Sequence, residues 1–174
     1  LFQTTDNLLD FTDASLWVRK DLDGVTRQYA VSTANKIPVT GGTAIYTALK
    51  DLPTDIFGTV FNIRLQQYDA NGEKVGSVWT GSSITSTDTK YKVLDASTTH
   101  IVVCLNTNNY QKTFTIAQLV EMNPLIYVGT NSAITNDTVY RHNVSTMEEV
   151  QSNISALRSD VDNTSEFIET YHQT

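Results

Sequence analysis

The side chains best suited to binding chemistry in this sequence recur at every second position of one short stretch. Asn62, Arg64 and Gln66 carry amide and guanidinium groups, and Tyr68 follows at the same spacing. Such groups donate or accept the hydrogen bonds that the hydroxyl groups of a saccharide require, and an aromatic ring can stack on the apolar face of a sugar. Trp79 is close by in the sequence and could supply that ring, although a core position is an equally good interpretation.

A second candidate for saccharide binding is the polar segment at residues 106–110, in which Tyr110 is the aromatic residue. Catalysis is not indicated, because the three histidines, His100, His142 and His172, are far apart and match no metal-binding spacing. The sequence also lacks the Gly-x-Ser-x-Gly motif of serine hydrolases. We therefore expect a protein that is not an enzyme and has no cofactor; the sequence identifies no metal-binding residues and leaves open whether calcium is bound.

A predicted β-hairpin positions the first group of residues. Phe61, Ile63 and Leu65 alternate with the polar side chains, and a period of two is the pattern of a strand with one buried face. Residues 69–72 read Asp-Ala-Asn-Gly, in which Asn and Gly tolerate the positive φ of a reversing backbone. Residues 74–79 are predicted to form the returning strand.

The composition favours β-structure over residues 1–130. The chain has 26 threonines, eight tyrosines and six phenylalanines, and β-branched and aromatic side chains fit a pleated surface. About eight to ten short apolar segments separated by turns, the last of them at residues 114–120, predict an all-β sandwich. Trp17 and the single cysteine, Cys104, are predicted to be core residues of this sandwich.

The charge distribution argues against nucleic acid and membrane partners. Of the formal net charge of −7, residues 145–174 carry −5 from six acids and one base, and residues 1–144 carry −2 from thirteen acids and eleven bases. Lys and Arg are not clustered as a nucleic-acid interface would require. No apolar run approaches the roughly 20 residues of a membrane span. A nearly neutral, polar body is compatible with a neutral polar ligand.

The pattern changes from a period of two to a heptad at residues 145–174, after a polar stretch at residues 131–144 that we interpret as a linker. Apolar a and d positions predict an oligomerising coiled-coil helix, with a docked or frayed helix as the alternative. The seam continues to the last residues, so we expect more stem or a further domain beyond Thr174. The a positions are Met147, Ile154, Val161 and Ile168, and the d positions are Val150, Leu157, Thr164 and Tyr171.

The order of several short motifs resembles the jelly-roll modules of bacteriophage tail fibres and baseplates, which are similar to carbohydrate-binding modules. The resemblance covers about residues 7–129 and implies a jelly-roll β-sandwich over residues 1–130. It departs from the family at His100-Ile101-Val102-Val103, which lacks the usual aromatic residue. The motifs are Asn7-Leu8-Leu9 with Trp17, the glycine turn Gly41-Gly42 before Tyr46-Thr47, Tyr68-Asp69-x-Asn71-Gly72, and Gln118-Leu119 ahead of Pro124, Tyr127 and Gly129.

The resemblance implies a setting as well as a fold. It implies a virion protein of the phage tail that acts outside the cell at the host surface, with cell-surface polysaccharide and other tail proteins as partners. It also implies a homotrimeric stem, whereas Ile at a with Leu at d favours dimers. The expected function is a non-enzymatic structural module that contributes to host glycan recognition and fibre trimerisation. The alternatives are a purely structural connector in tail assembly, and an accessory carbohydrate-binding module of a secreted bacterial enzyme or adhesin.

Overall fold

The computed structural model describes residues 6–84, 90–107, 112–121, 125–139, 151 and 154–158. Within these residues the chain is mainly β, with two antiparallel sheets and only short helices, so the predicted all-β pair of sheets is confirmed. The strands are β1 (Trp17–Val18), β2 (Ala30–Thr33), β3 (Ile37–Pro38), β4 (Ala44–Leu49), β5 (Asn62–Tyr68), β6 (Lys74–Ser83), β7 (Lys90–Val93), β8 (His100–Asn106) and β9 (Ile126–Gly129). The helices are α1 (Thr54–Phe57), α2 (Ile116–Glu121) and a 3-10 turn at Ala14–Leu16.

The strand order places two edge strands next to each other in the chain. One sheet has the order β1-β2-β8-β5-β6, with β3 also paired to β8, and the other has the order β7-β4-β9. The chain passes from one sheet to the other at the connections β3–β4, β4–β5, β6–β7, β7–β8 and β8–β9. Consequently β6 ends the larger sheet, β7 ends the smaller one, and a single connection joins them.

The core lies between the two sheets. Ile63 and Leu65 of β5 and Val103 of β8 come from the larger sheet, while Ile45 of β4 and Val128 of β9 come from the smaller one. All five side chains are fully buried in one cluster. Burying such apolar side chains stabilises the fold by about 1.5–3 kcal/mol each, which is why alternate positions of these strands are apolar.

The predicted hairpin is confirmed as β5 and β6, which pair antiparallel. Its turn is held by Asp69, whose Oδ1 accepts hydrogen bonds from the backbone N–H groups of Asn71 at 2.8 Å and Glu73 at 3.0 Å. Gly72 has a φ of +79°, a conformation that glycine adopts without a Cβ penalty. The returning strand is longer than predicted and continues to Ser83.

The prediction of a last strand at residues 114–120 was wrong, because residues 116–121 form α2. Thr115 and Gln118 explain the helix. The Oγ1 atom of Thr115 accepts a hydrogen bond from the Gln118 N–H at 3.0 Å, and Oε1 of Gln118 accepts one from the Thr115 N–H at 2.9 Å. This reciprocal pair is a capping box, which satisfies two backbone donors at a helix start. The last strand is instead β9.

The opening Asn-Leu-Leu motif covers the outer edge of β9. The Asn7 side chain donates to the carbonyl oxygen of Ile126 at 2.8 Å and accepts from the Val128 N–H at 3.1 Å. The Leu8 N–H donates to the carbonyl oxygen of Val128 at 2.8 Å. An edge strand whose backbone groups are paired in this way is not available for pairing with another chain.

The predicted core positions of Trp17 and Cys104 are confirmed. Trp17 is buried, its ring stacks on Phe11 with centroids 4.9 Å apart, and its Nε1–H donates to the carbonyl oxygen of Asp10 at 2.8 Å. Cys104 is a free, fully buried thiol, and burial raises the pKa of this thiol to about 12.

The first part of the stretch that we interpreted as a linker packs against the smaller sheet. Ile134 and Val139 are buried in a cluster with Ala48 and Tyr127, on the face of the sheet opposite the core. The backbone N–H of Leu49 also donates to the side-chain oxygen of Asn136 at 3.1 Å. Contacts with the sandwich therefore extend as far as Val139.

The predicted coiled coil lies mostly outside the described residues. Gln151 and residues 154–158 are helical, and the described part of the chain contains no long C-terminal helix. The side chains of Ile154 and Leu157 are 40% and 64% exposed. The predicted seam residues outside the described part are Met147, Val150, Val161, Thr164, Ile168 and Tyr171.

Candidate functional site

The structure places four of the predicted binding residues on one face of β5, as the alternation indicated. Asn62, Arg64, Gln66 and Tyr68 lie on the face opposite Ile63 and Leu65, which point into the core. Three of the four side chains, those of Arg64, Gln66 and Tyr68, have specific contacts within the protein.

Arg64 belongs to a network of charged side chains. Its Nη1 atom lies 3.2 Å from Oδ1 of Asp21. Arg27 lies 3.8 Å from the other oxygen of Asp21 and 2.9 Å from Asp23. The Asp21 side chain is mostly buried and also accepts a hydrogen bond from the Leu22 N–H at 2.7 Å. Arg64 therefore ties the β1–β2 connection to the larger sheet.

Gln66 supports an irregularity in the neighbouring strand. Leu65 pairs with Trp79 and Gln67 pairs with Val75, so residues 76–78 of β6 form a bulge opposite Gln66. The Gln66 side chain is 3% exposed, and its Nε2 atom donates to the carbonyl oxygens of Gln67 at 3.1 Å and of Val75 at 3.3 Å. A third contact, at 3.3 Å, reaches the carbonyl oxygen of Gly76. The amide of Gln66 is thus used to satisfy backbone acceptors.

Tyr68 and Trp79 are not brought together. The Nζ atom of Lys36 lies 4.2 Å from the centre of the Tyr68 ring, in a cation–π contact. Trp79 is paired with Leu65 in the sheet, so its side chain lies on the core-facing side, where it packs against the main cluster. The predicted site is therefore divided between the two faces of the larger sheet.

The second predicted site starts at Asn106, the last residue of β8. Asn106 is buried, and its Oδ1 atom has no hydrogen-bond partner among the described residues. Tyr110 lies outside the described residues. The stacking role predicted for Tyr110 stays a prediction.

Trp79 contributes to a cleft between the two edge strands, which we call the β6–β7 cleft. The cleft has a volume of about 330 Å³. It is lined by residues 75–79 of β6, by Lys92 and Val93 of β7, and by Gln67 and Asp95. Lys92 pairs with Ile45, a core residue, so both Lys92 and Trp79 occupy core-facing positions at the open edges of their sheets.

The polar groups of the cleft are held in place by hydrogen bonds. Oε1 of Gln67 accepts from the Asp95 N–H at 2.8 Å and from the Thr98 hydroxyl at 2.6 Å, which fixes the loop after β7. The Asp95 carboxylate accepts from the backbone N–H of Ser97 at 3.0 Å and from its hydroxyl at 2.8 Å. These bonds, with a smaller contribution from Lys92, lower the pKa of Asp95. Asp95 is therefore an ionised acceptor at neutral pH.

Exposed apolar side chains stand on both lips of the cleft. Val78 of β6 and Val93 of β7 line the cleft and are 36% and 55% exposed, and Tyr91, two residues before Val93 in β7, is 61% exposed. Tyr91 and Val93 pair with Tyr46 and Ala44 and so lie on the outer face of the smaller sheet. Most large apolar side chains are buried in folded proteins, so a cluster of exposed ones is informative.

Close packing behind Trp79 sets the position of its ring. A Cβ atom on Gly81 would lie 2.7 Å from Oγ1 of Thr47 and 3.0 Å from a ring carbon of Trp79. The neighbouring Ser82 N–H donates to Oγ1 of Thr47 at 2.9 Å, and the Ser82 hydroxyl donates to the Thr47 carbonyl oxygen at 2.8 Å. These buried contacts join β4 of one sheet to β6 of the other directly below the cleft.

A second cavity, of about 190 Å³, lies between the N-terminal segment and β3. Leu8, Leu16, Trp17, Ile37 and Pro38 form most of its wall, and Asp10, Thr33, Asn35 and Lys36 complete the lining. Its volume is below the roughly 300 Å³ at which small-molecule sites usually begin, so the β6–β7 cleft is the better candidate for the binding chemistry that the sequence indicated.

Of the residues that line the cleft, only Trp79 was predicted from the sequence as a binding residue. Tyr91 and Val93 alternate with Lys90 and Lys92, which by pattern alone puts the apolar pair inside, whereas the register with β4 puts it outside. The one local signal was Asp95-Ala96-Ser97, which matches an Asx turn.

In the part of the chain that the structure describes, no three His, Cys, Asp or Glu side chains are grouped closely enough to hold a metal ion. No helix in the same part is sufficiently long and apolar to cross a membrane. Comparisons with known protein families, with curated proteins and with solved structures found no significant match.

Proposed function

We propose that this chain is a non-enzymatic module of a bacteriophage tail fibre or baseplate that binds host cell-surface polysaccharide in the β6–β7 cleft. The observation that carries the proposal is the combination of polar groups that line the cleft with exposed apolar side chains on both of its sides. Asp95, Gln67 and Lys92 supply the polar groups, and Val78 and Val93 supply the exposed apolar side chains.

A sugar ring suits such a surface because it has hydroxyl groups around its edge and apolar C–H groups on its faces. The Asp95 carboxylate and the Lys92 ammonium group can accept and donate hydrogen bonds to hydroxyl groups. The half-buried indole of Trp79 offers an aromatic face to the C–H groups. The volume, about 330 Å³, is within the usual range of roughly 300–1,000 Å³ for small-molecule sites.

The phage setting rests on the order of motifs along the sequence, together with two structural features that are compatible with it. The chain passes repeatedly between two antiparallel sheets, as a jelly roll requires. Ile154 and Leu157, at a and d of the heptad, are helical and exposed, as residues of an interface between copies would be in a single chain. A homotrimeric stem would hold several weak sites together and increase their combined affinity.

The test is a polysaccharide array with the full chain and two single variants. The wild type is expected to bind at least one bacterial cell-wall or capsular polysaccharide. Trp79→Ala is expected to lose most of that binding, because the ring lines the cleft. Tyr68→Ala is the matched control, since Tyr68 lies on the opposite face of the same sheet, and it is expected to bind like the wild type.

Binding that depends on Tyr68 and not on Trp79 would move the site to the polar face of β5. Because Trp79 also packs on the core, Lys92→Ala serves as a second cleft variant at a residue outside the apolar core cluster, and the melting temperature of each variant is recorded. Lack of binding to every polysaccharide on the array would favour the purely structural connector. The exposed side chains of Ile154 and Leu157 support this second function, because a structural connector would use such side chains to assemble with other chains.

A further inference from the structure

Tyr91 is the most exposed large apolar side chain among the described residues of the two sheets, at 61%. Its ring packs beside that of Tyr46, with ring centroids 5.7 Å apart and planes inclined by 31°. Tyr46 in turn packs against the buried cluster that covers the outer face of the smaller sheet. The Tyr91 ring therefore lies beside an aromatic neighbour on the sheet while most of the residue is exposed to solvent.

The Tyr91 ring adjoins the cleft through β7. Lys92 and Val93 line the cleft, and Tyr91 precedes them in the same short strand. Tyr91 and Val93 share the outer face of the sheet, so a ligand that leaves the cleft over Val93 reaches the Tyr91 ring next. The tyrosine is thus the neighbour, along the edge strand β7, of the residues that line the cleft.

The size of this surface favours a saccharide chain over a protein partner. Among the described residues of the sandwich, the large exposed apolar side chains are Val25, Val78, Tyr91 and Val93. A stable protein–protein interface takes about 800 Å² from each partner and has an apolar centre. One exposed tyrosine with one valine, next to Lys90 and Lys92 in the same four-residue strand, is far smaller than that. It matches the face of a single sugar ring.

We propose that Tyr91 is a second stacking position, and that the site binds internal segments of an extended polysaccharide, with one ring in the cleft and another on Tyr91. This inference rests on the proposed function and adds that at least two rings are bound. A chain that continues past both positions fits because the cleft opens between two strand edges. A single terminal sugar bound in the cleft would not contact an aromatic ring that lies outside it.

The test uses fragments, from a single ring upward, of the bacterial polysaccharide that gives the strongest array signal with the wild type. Wild-type affinity is expected to rise by about tenfold when the fragment becomes long enough to reach Tyr91, the increment of one additional aromatic contact. Tyr91→Ala is expected to abolish this rise and to leave the affinity for the shortest fragments unchanged. Tyr91→Trp is expected to preserve the rise, and Val25→Ala, an exposed apolar site elsewhere, controls for loss of exposed apolar surface.

The inference is overturned if Tyr91→Ala binds long fragments as tightly as the wild type, or if a single ring binds as tightly as a long fragment. It is also overturned if Tyr91→Ala changes the oligomeric mass, because the tyrosine would then contact a second copy of the chain. If no polysaccharide binds to the wild type, the proposed function fails and this inference fails with it. If Trp79→Ala loses binding and Tyr91→Ala does not, only the second position is lost.

Discussion

At the scale of single residues, the position of the Trp79 ring in the cleft depends on the absence of a side chain at Gly81. Gly81→Ala would place a methyl group 2.7 Å from Oγ1 of Thr47 and 3.0 Å from the Trp79 ring, closer than ordinary packing allows. We expect the ring to be displaced, polysaccharide affinity to fall, and the free energy of unfolding to decrease by about 1–3 kcal/mol. Chemical denaturation and array binding measure the two effects.

Ser77→Ala is the control for Gly81→Ala, because Ser77 is an exposed lining residue of the same strand. It is expected to leave the stability within about 0.5 kcal/mol of the wild type. Equal stability of Gly81→Ala and the wild type would contradict the close packing of Gly81 against Thr47 and Trp79.

Cys104 provides a prediction about pH. Burial raises the pKa of its thiol to about 12 in the folded protein, while an unfolded cysteine titrates near 8.5. The folded state therefore keeps a proton that the unfolded state loses, so this contribution to stability is fully present below about pH 8.5 and declines as the pH rises above it. We expect the wild type to lose more unfolding free energy than Cys104→Ala between neutral pH and pH 10. Denaturation of both proteins across that range measures the difference.

The same burial predicts that the native thiol does not react with a thiol reagent at pH 8, and that it reacts fully once the protein is unfolded in guanidinium chloride. Rapid reaction of the native protein would show that Cys104 is accessible, against its complete burial.

At the scale of elements, the contact between Thr47 of β4 and Ser82 of β6 joins the two sheets. Thr47→Val keeps the shape of the side chain but removes the oxygen that accepts from the buried Ser82 N–H at 2.9 Å. We expect a loss of about 1–3 kcal/mol in unfolding free energy, because a buried donor is left without a partner. Thr80→Val, on the exposed face of the same hairpin, is the matched control and should be neutral. Comparable effects of both substitutions in denaturation experiments would refute the role of this contact.

The sequence predicts those elements whose signals are local. Asp69, Asn71 and Gly72 specify the hairpin turn by their own backbone preferences, and alternation in β5 indicates its buried face. Residues 114–120 also alternate, yet Thr115 and Gln118 form a capping box, and the helix start prevails over the period of two. That competing signal was readable in the sequence.

The cleft could not be predicted in the same way, because it depends on the register between strands that are distant in sequence. The bulge at residues 76–78 shifts the pairing of β6, so Trp79 faces the core side while Arg64 and Tyr68 lie on the opposite face. Lys92 is opposite Ile45, an arrangement that no local pattern indicates. Only the assembled sheets bring β6 and β7 together.

At the scale of the whole molecule, the proposal requires several copies of the site to be held together. We expect the wild type to form an oligomer through the heptad, so that Ile154→Asp combined with Leu157→Asp shifts the mass to that of a monomer. Charged side chains at a and d disfavour a buried seam. Ala156→Asp, at an exposed position in the same helical segment but off the seam, should leave the oligomer intact.

Light scattering measures these masses. Any truncation that removes the heptad should end after Val139, because Ile134 and Val139 are buried against the smaller sheet. A monomeric wild type would contradict the oligomer, and binding would then lack the gain from several linked sites.

The most direct test of the central claim is an NMR titration of isotopically labelled protein with a short fragment of the best-binding bacterial polysaccharide. Shifts are expected for the backbone amide signals of residues 75–79 and 92–95, which surround the β6–β7 cleft. Little change is expected for Asp21 and Lys36, which contact Arg64 and Tyr68 on the opposite face of β5. Shifts confined to that opposite face, with none in the cleft, would contradict the assignment of the binding site.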